Sequence, residues 1–360
     1  MVPSAVESSN ASGSSLDGAS SPAPRVRWRR ARAVVRRGLV IVLFAAAAMC
    51  LGIMVGGGRW WPIFLAWAIA GGLVAWRWHT WWPERFVLAA WLSVLLWLAV
   101  RSPSHDRAFR VDISVLPELS IADDTVHVTR LRNFERFADG TFEPRWEDRT
   151  YTLSKLRGVD MIVEPFALTE LVAHTMLSFD FGDEGRLVLS IEARMETGET
   201  YGPVAGALRQ FELGYFFIDE RDALTVRGAK PGQALYAYPI RADPEHVQAV
   251  FRRVVAEANE ILNQPRWYHI ILDNCTTVWV RAVQHVRGEP FRLHRDIVLN
   301  GRIARGLHGI GVIDTDLPFE QAREKFRIDD AVREHFDDPD ISSAVRAGRE
   351  QSSGPGADAP

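Results

Sequence analysis

A cysteine deserves reading as a chemical group when its surroundings favour the thiolate, and the stretch Ile270 to Val280 (Ile-Ile-Leu-Asp-Asn-Cys-Thr-Thr-Val-Trp-Val) supplies such surroundings. Cys275 stands at a predicted helix start. Asp273 or Asn274 can cap the first turn, and apolar residues recur at helical spacing from Thr276 to Arg287, where Gly288 stops them. The positive end of the peptide dipoles and the unpaired N–H groups of a first turn both favour a thiolate over a thiol, whose free pKa is about 8.5. The competing reading is a small buried hydrophobe, which free cysteines usually are.

A thiolate nucleophile needs a base, and the base needs a group that fixes its tautomer. His174 is the first candidate base, with Glu192 as its orienter. Asn274 is the alternative orienter, or an amide donor to an oxyanion, and the N–H of Cys275 is the expected backbone donor. His269 is a rival base, close to the cysteine in sequence but on a strand-like stretch of uncertain reach. Each has a plain counterpart: a hydrogen-bonded structural histidine, or a surface ion pair of Glu192 with Arg194. A lone cysteine and scattered histidines lack the paired spacing of metal ligands, and no phosphate-cradling glycine loop or Gly-x-Ser-x-Gly elbow occurs. Neither a metal nor a cofactor is expected.

These residues must be positioned by an α+β domain with an antiparallel sheet. The clearest hairpin is Leu171 to Phe181 followed by Arg186 to Arg194, joined across Gly182-Asp183-Glu184-Gly185. If Asp180 faces Arg186, residues whose numbers sum to 366 oppose one another, and His174 stands opposite Glu192. Further strands are expected around Val126 to Leu131, Trp146 to Tyr151, Leu153 to Val163, Leu213 to Ile218, Ala223 to Arg227 and Leu235 to Ile240. A helix starts at Asp243-Pro244-Glu245, and its apolar stripe (Val247, Val250, Phe251, Val254, Val255, Ala258, Ile261, Leu262) runs until Pro265 ends it. Helices and loops follow over 293–336, and a disordered tail is expected over 337–360.

The N-terminal part has another character. Residues 1–24, rich in Ser, Ala, Gly and Pro, read as a disordered lead. Net charge is -3, yet Arg25, Arg27, Arg29, Arg30, Arg32, Arg36 and Arg37 form a purely basic run. Directly after it comes the uncharged stretch Gly38 to Val55, followed by apolar stretches at Trp60 to Trp76 and Phe86 to Val100, with tryptophans clustered at their ends. Residues 25–101 are therefore expected to be a basic flank and three transmembrane helices. The basic flank stays cytoplasmic, which sends residues 102–336 to the periplasm or exterior of a bacterial cell as the functional domain. Its place beside a span makes orientation the cheaper explanation of the basic run, so no nucleic-acid partner is expected. Cys50 lies in the first span, and its separation from Cys275 leaves the latter a lone thiol in an oxidising compartment.

Ala173-His174-Thr175 with Ser178-Phe179, then Ser190-Ile191-Glu192-Ala193-Arg194, then Asn274-Cys275-Thr276-Thr277 resemble, in that order, the bacterial family defined by the Lnb N-terminal periplasmic domain. Asp219-Glu220-Arg221-Asp222 and Ile313-Asp314-Thr315 with Leu317-Pro318-Phe319 add to the resemblance, which spans roughly 103–336. It implies a circularly permuted papain-like domain in which a strand histidine precedes the cysteine helix. It further implies a Cys–His enzyme acting on an acyl or amide bond; for Lnb members, an acyl chain is transferred to the N-terminal amine of a lipoprotein. A membrane lipid and a lipoprotein are the expected partners. The rival expectations are a cell-wall peptide amidase or peptidase of the NlpC/P60 kind, and a non-catalytic membrane-bound binding domain.

Overall fold

The computed structural model describes residues 24–56, 82–166, 169–228 and 232–347, with isolated positions between them. Ten strands follow in chain order: β1 (Glu118–Ala122), β2 (Thr125–Arg132), β3 (Glu135–Arg136), β4 (Phe142–Glu143), β5 (Trp146–Thr152), β6 (Gly158–Phe166), β7 (Thr169–Asp180), β8 (Arg186–Arg194), β9 (Glu212–Asp219) and β10 (Tyr236–Pro239). Eight form one sheet in the order β1-β2-β9-β8-β7-β6-β10, with β5 also paired to β2, while β3 and β4 make a separate hairpin. The sheet is antiparallel except where β2 meets β9 at Arg132 and Ile218. The expected α+β class with a mostly antiparallel sheet holds.

The strands at the site are buried on both faces. Along β7, Ala173, Leu177 and Phe179 face one core with the helices Pro244–Asn263 and Thr277–Val286, while Met176 faces a second core with the helix Glu220–Gly228. The β7–β8 turn uses Gly182 at φ 67° and Gly185 at φ 89°, left-handed conformations that only glycine adopts without strain. The register is the expected one, from Asp180 opposite Arg186 to Met176 opposite Ser190.

Three expectations need correction. Ala223 to Arg227 is helix, not strand: Glu220 and Asp222 in the first turn and Arg227 in the last suit the helix dipole, and a short apolar run does not by itself distinguish the two forms. Residues 337–347 do not separate as a tail. Ile341 and Val345 are buried, and the Arg346 guanidinium donates to Asp160 and Glu220 at 2.6–2.8 Å. Of the three expected spans, Val34–Ile53 within the helix Pro24–Gly56 is long and apolar enough to cross a bilayer. The helix Trp82–Val100 carries its apolar run over Val87–Val100 only, about 20 Å at the usual helical rise against a hydrocarbon core of roughly 30 Å. The stretch expected over 60–76 lies largely outside the described residues.

The first helix is not a free stalk. Its Ile53 is buried in the main core, its C-terminal part meets the short helix Pro203–Ala207, and Cys50 packs with Val94, Trp91 and Leu208. Arg209 donates to the carbonyl of Leu98 at 3.0 Å, tying the second helix to the same corner.

Candidate active site

Cys275 lies in the turn just before the helix Thr277–Val286, slightly ahead of the first turn where the sequence put it. Asn274 builds that turn. Its Oδ1 accepts from the N–H groups of Thr276 and Thr277 at 2.9 and 2.8 Å, and its Nδ2 donates to the Ile270 carbonyl at 2.6 Å. With both ends of its amide committed to backbone, Asn274 fixes the cysteine turn and does not orient His174. The Cys275 N–H meets no acceptor among the described residues, so a free donor stands beside the sulfur, as an oxyanion site requires.

His174 and Cys275 line the same cavity, and the imidazole is near enough to the sulfur to lower the thiol's pKa. The two belong to opposite faces of the sheet: the cysteine turn rests on Ala173 and Thr175, with the Thr175 hydroxyl donating to the Cys275 carbonyl at 3.2 Å, whereas His174 alternates to the other side. They meet where the sheet divides. The β7–β8 ladder ends at Met176 and Ser190, while β7 stays bonded to β6 as far as Pro165 opposite Ala173 and β8 stays bonded to β9 through Arg194. His174 and Glu192 flank the resulting gap.

Inside it, His174 Nε2 lies 2.9 Å from Ser190 Oγ and 3.3 Å from Glu192 Oε1, and Ser190 Oγ donates to the same Glu192 oxygen at 2.7 Å. Nε2 therefore carries the hydrogen, and Nδ1 is the nitrogen left for the thiol. Arg227, from the helix Glu220–Gly228, donates to Glu192 Oε1 and Glu164 Oε2 at 2.7 Å each. Glu164 sits directly opposite His174 on β6, so this guanidinium spans the two strands on either side of the histidine strand. Arg194, the neighbour that the sequence offered as Glu192's ion-pair partner, instead donates to the carbonyls of Ile113 and Ser114.

The charges follow from these contacts. Burial and the Arg227 charge push His174 toward its neutral form, but Glu192 and the thiol outweigh them and raise its pKa to about 9. Burial alone would raise the Cys275 thiol; the hydrogen bond and charge of His174 bring it below its ordinary value. Glu192 is held well below the carboxylate range, against burial, by His174 and Arg227. The pair thus favours the thiolate more than a free cysteine does, with the imidazole charged beside it.

Cys275 and His174 line a cavity of about 410 Å³ with Phe166, Ile191, Met195, Tyr201, Tyr268 and Ile271 among its walls. Both titrating side chains are buried, with 7 % exposure each, so the cavity is the route to them. Asn300 closes its floor. Its Nδ2 donates to the Ala173 carbonyl at 2.7 Å and to Thr276 Oγ1 at 2.9 Å, lies 3.5 Å from the sulfur, and its Oδ1 accepts from the Ala173 N–H. His269 is occupied elsewhere: Nδ1 accepts from the N–H groups of Ile271 and Leu272, both at 3.2 Å, which shapes the loop before the cysteine.

Sequence reasoning did not single out Ser190, Arg227 or Asn300 as site residues. Ser190 had a signal, two positions before Glu192 on a strand and hence on the same face. Arg227 was hidden by the strand assignment. Asn300 lies far along the chain in a short turn, and nothing in its neighbourhood announces the contact.

An α+β domain that brings a cysteine and a histidine to one apolar cavity, and that carries an apolar helix long enough to cross a bilayer, is, as a class, a membrane-associated thiol-site domain. Residues 142–299 match the family model described as the Lnb N-terminal periplasmic domain, a segment that contains Cys275, His174, Glu192 and Asn274. That segment is similar to the family's domain, and with the apolar helix that precedes it in the chain it fits a membrane-anchored protein with a periplasmic domain. No curated protein and no solved structure matches it.

Proposed function

We propose that this protein is a membrane-anchored cysteine acyltransferase of the periplasm that moves an acyl chain from a lipid ester to an amine, as in lipoprotein N-acylation, on a permuted papain-like domain. The observation that carries this reading is that Cys275 and His174, the latter held at Nε2 by Ser190 and Glu192, line one largely apolar cavity. In the first step the thiolate attacks the ester carbonyl, the Cys275 N–H receives the developing oxyanion, and His174 gives its Nδ1 proton to the departing alcohol. A thioester of Cys275 remains. In the second step an amine attacks the thioester, His174 takes the amine's proton, and the thiolate leaves as the amide forms. Ser190 and Glu192 keep Nε2 protonated throughout, which is the orienting role of a third group.

An apolar cavity beside an anchor helix favours an acyl chain over a polar cell-wall peptide, which separates this reading from the amidase alternative. The topology agrees with it: a basic cytoplasmic flank and a periplasmic domain require an odd number of crossings, met by Val34–Ile53 alone or by the three-span arrangement. Intact-mass measurement after incubation with bacterial membranes tests the reading. A fatty-acyl increment on the wild type that is absent from Cys275→Ser is expected. A peptidyl increment instead would move the protein to the amidase class, and no increment under conditions where Cys275 alkylates readily would remove the enzyme reading.

A further inference from the structure

The cavity mouth opens among exposed apolar side chains that the thiol chemistry does not use. Ile271, Leu272, Val298 and Leu299 are each between a third and a half exposed, on the loop before Cys275 and on the segment that delivers Asn300. Leu171 and Phe166, at the tip of the β6–β7 hairpin, are exposed to a similar degree, and the backbone at Glu170 and Leu171 presses against Gly301, where a Cβ would stand 2.0 Å from the Glu170 carbonyl oxygen. Soluble surfaces scatter such residues singly; a collar of them around one opening marks a contact surface.

Two further observations identify the occupant. The first is continuity with the anchor. The end of the span Val34–Ile53 packs on the short helix Pro203–Ala207, whose Gly206 accepts from Ile270 N–H at 3.3 Å and lies so close to the Tyr268 ring that a Cβ would be 3.3 Å from it. Two contacts therefore lead from the outer end of the span to the loop bearing Ile271 and Leu272. The second is charge. The segment Arg292-Leu293-His294-Arg295, just before Val298 and Leu299, is exposed throughout, and Arg292 has no ion partner among the described residues. Within residues 292–302 the sole carboxylate, Asp296, is shared among Arg295, Arg302 and His294 at 3.5–3.7 Å, leaving that segment net positive. Exposed Leu and Val interleaved with Arg is the pattern of a surface seated among anionic lipid headgroups.

We infer that this collar rests on the outer leaflet of the membrane, with Ile271, Leu272, Val298 and Leu299 at acyl depth and Arg292 and Arg295 at the headgroups, so that the cavity opens into the lipid. The inference rests on the anchored, periplasmic placement of the domain and not on the chemistry of Cys275. It gives the cavity a lateral entrance for a chain that never leaves the bilayer, and an amine acceptor then approaches from the aqueous side.

Photo-crosslinking tests it on the full chain in nanodiscs containing a phospholipid with a diazirine on its acyl chain, with labelled peptides located by mass spectrometry. Labelling of 268–273 and 292–300 in addition to the anchor helices is expected. In the double variant Leu272→Asp, Leu299→Asp, the loop labelling should fall at least about fivefold, since charge at acyl depth is disfavoured, while anchor labelling and iodoacetamide alkylation of Cys275 stay at wild-type levels. Labelling confined to the anchor helices in the wild type, or spread equally onto the β3–β4 hairpin, would overturn the inference even if the variant failed to fold. Acyl transfer to Cys275 is read separately by mass, so loss of the collar and loss of the proposed reaction are distinguishable.

Discussion

Two buried clusters on the same face of the sheet are built from nearly the same parts. One joins Ser190, Glu192, Arg227 and Glu164 around His174; the other joins Ser178, Glu220, Arg346, Asp160 and Arg186. In each, a strand serine touches a glutamate and an arginine from a helix or its flank bridges two carboxylates. The second cluster has no histidine and no thiol, and its bridging arginine pins residues 337–347 to the domain. The first lies where β7 and β8 separate, on the cavity that Cys275 also lines. Similar ion-pair chemistry thus acts as a staple where the sheet is closed and lines the candidate site where it opens.

The comparison breaks most sharply at the sulfur. Cys275→Ser should remove acyl-adduct formation and turnover altogether, a loss of at least about a thousandfold, while circular dichroism melting stays at the wild-type temperature. A folded serine variant with measurable transfer would show that the first cluster is also only structural. The staple should answer the opposite way. Arg346→Ala leaves Asp160 and Glu220 buried with unbalanced charge and is expected to cost about 3–5 kcal/mol in denaturant unfolding, with Cys275 alkylation unchanged in the folded fraction.

His174→Ala should slow iodoacetamide alkylation of Cys275 at neutral pH by roughly a hundredfold. Its pH midpoint should also rise toward or beyond the free-thiol value of about 8.5. Arg227→Met takes away the tie holding Glu192 across the gap, so a loss of roughly tenfold in alkylation rate is expected, worth about 1.4 kcal/mol, with Arg227→Lys between the two. An unchanged alkylation profile in Arg227→Met would reduce that guanidinium to a second staple.

The smallest effect is on stability against pH. Because the folded pKa of His174, about 9, lies above its ordinary 6.5, its contribution is complete below about 6.5 and is lost as pH rises through 9. Melting temperatures of wild type and His174→Gln should therefore converge between those values. Glu192, shifted downward, contributes above its ordinary 4.5 and loses that contribution as pH falls.

Much of the frame was legible locally. The Gly182–Gly185 turn set the register of β7 and β8, the stripe from Val247 to Ile261 announced its helix, and the Asn-Cys-Thr-Thr run marked a helix entrance. Each is a short-range pattern in which turn chemistry or periodicity decides the backbone. Where short-range signals compete, reading failed: Ala223 to Arg227 carries an apolar run compatible with either form, and the charged, polar residues after 336 look solvated until Arg346 finds its two carboxylates.

The sequence alone determined the chemical inventory: a lone cysteine outside the apolar N-terminal part, a histidine and a glutamate on the two arms of one hairpin, and an arginine-flanked apolar helix long enough to cross a bilayer. Only the tertiary structure decided that the histidine strand and its partner separate one step before the site, because a ladder's end depends on what each strand bonds on its far side. It alone brought Arg227 and Asn300 to the pair, and seated the cavity mouth beside the outer end of the anchor, since contacts between residues distant in the chain leave no trace in local spacing.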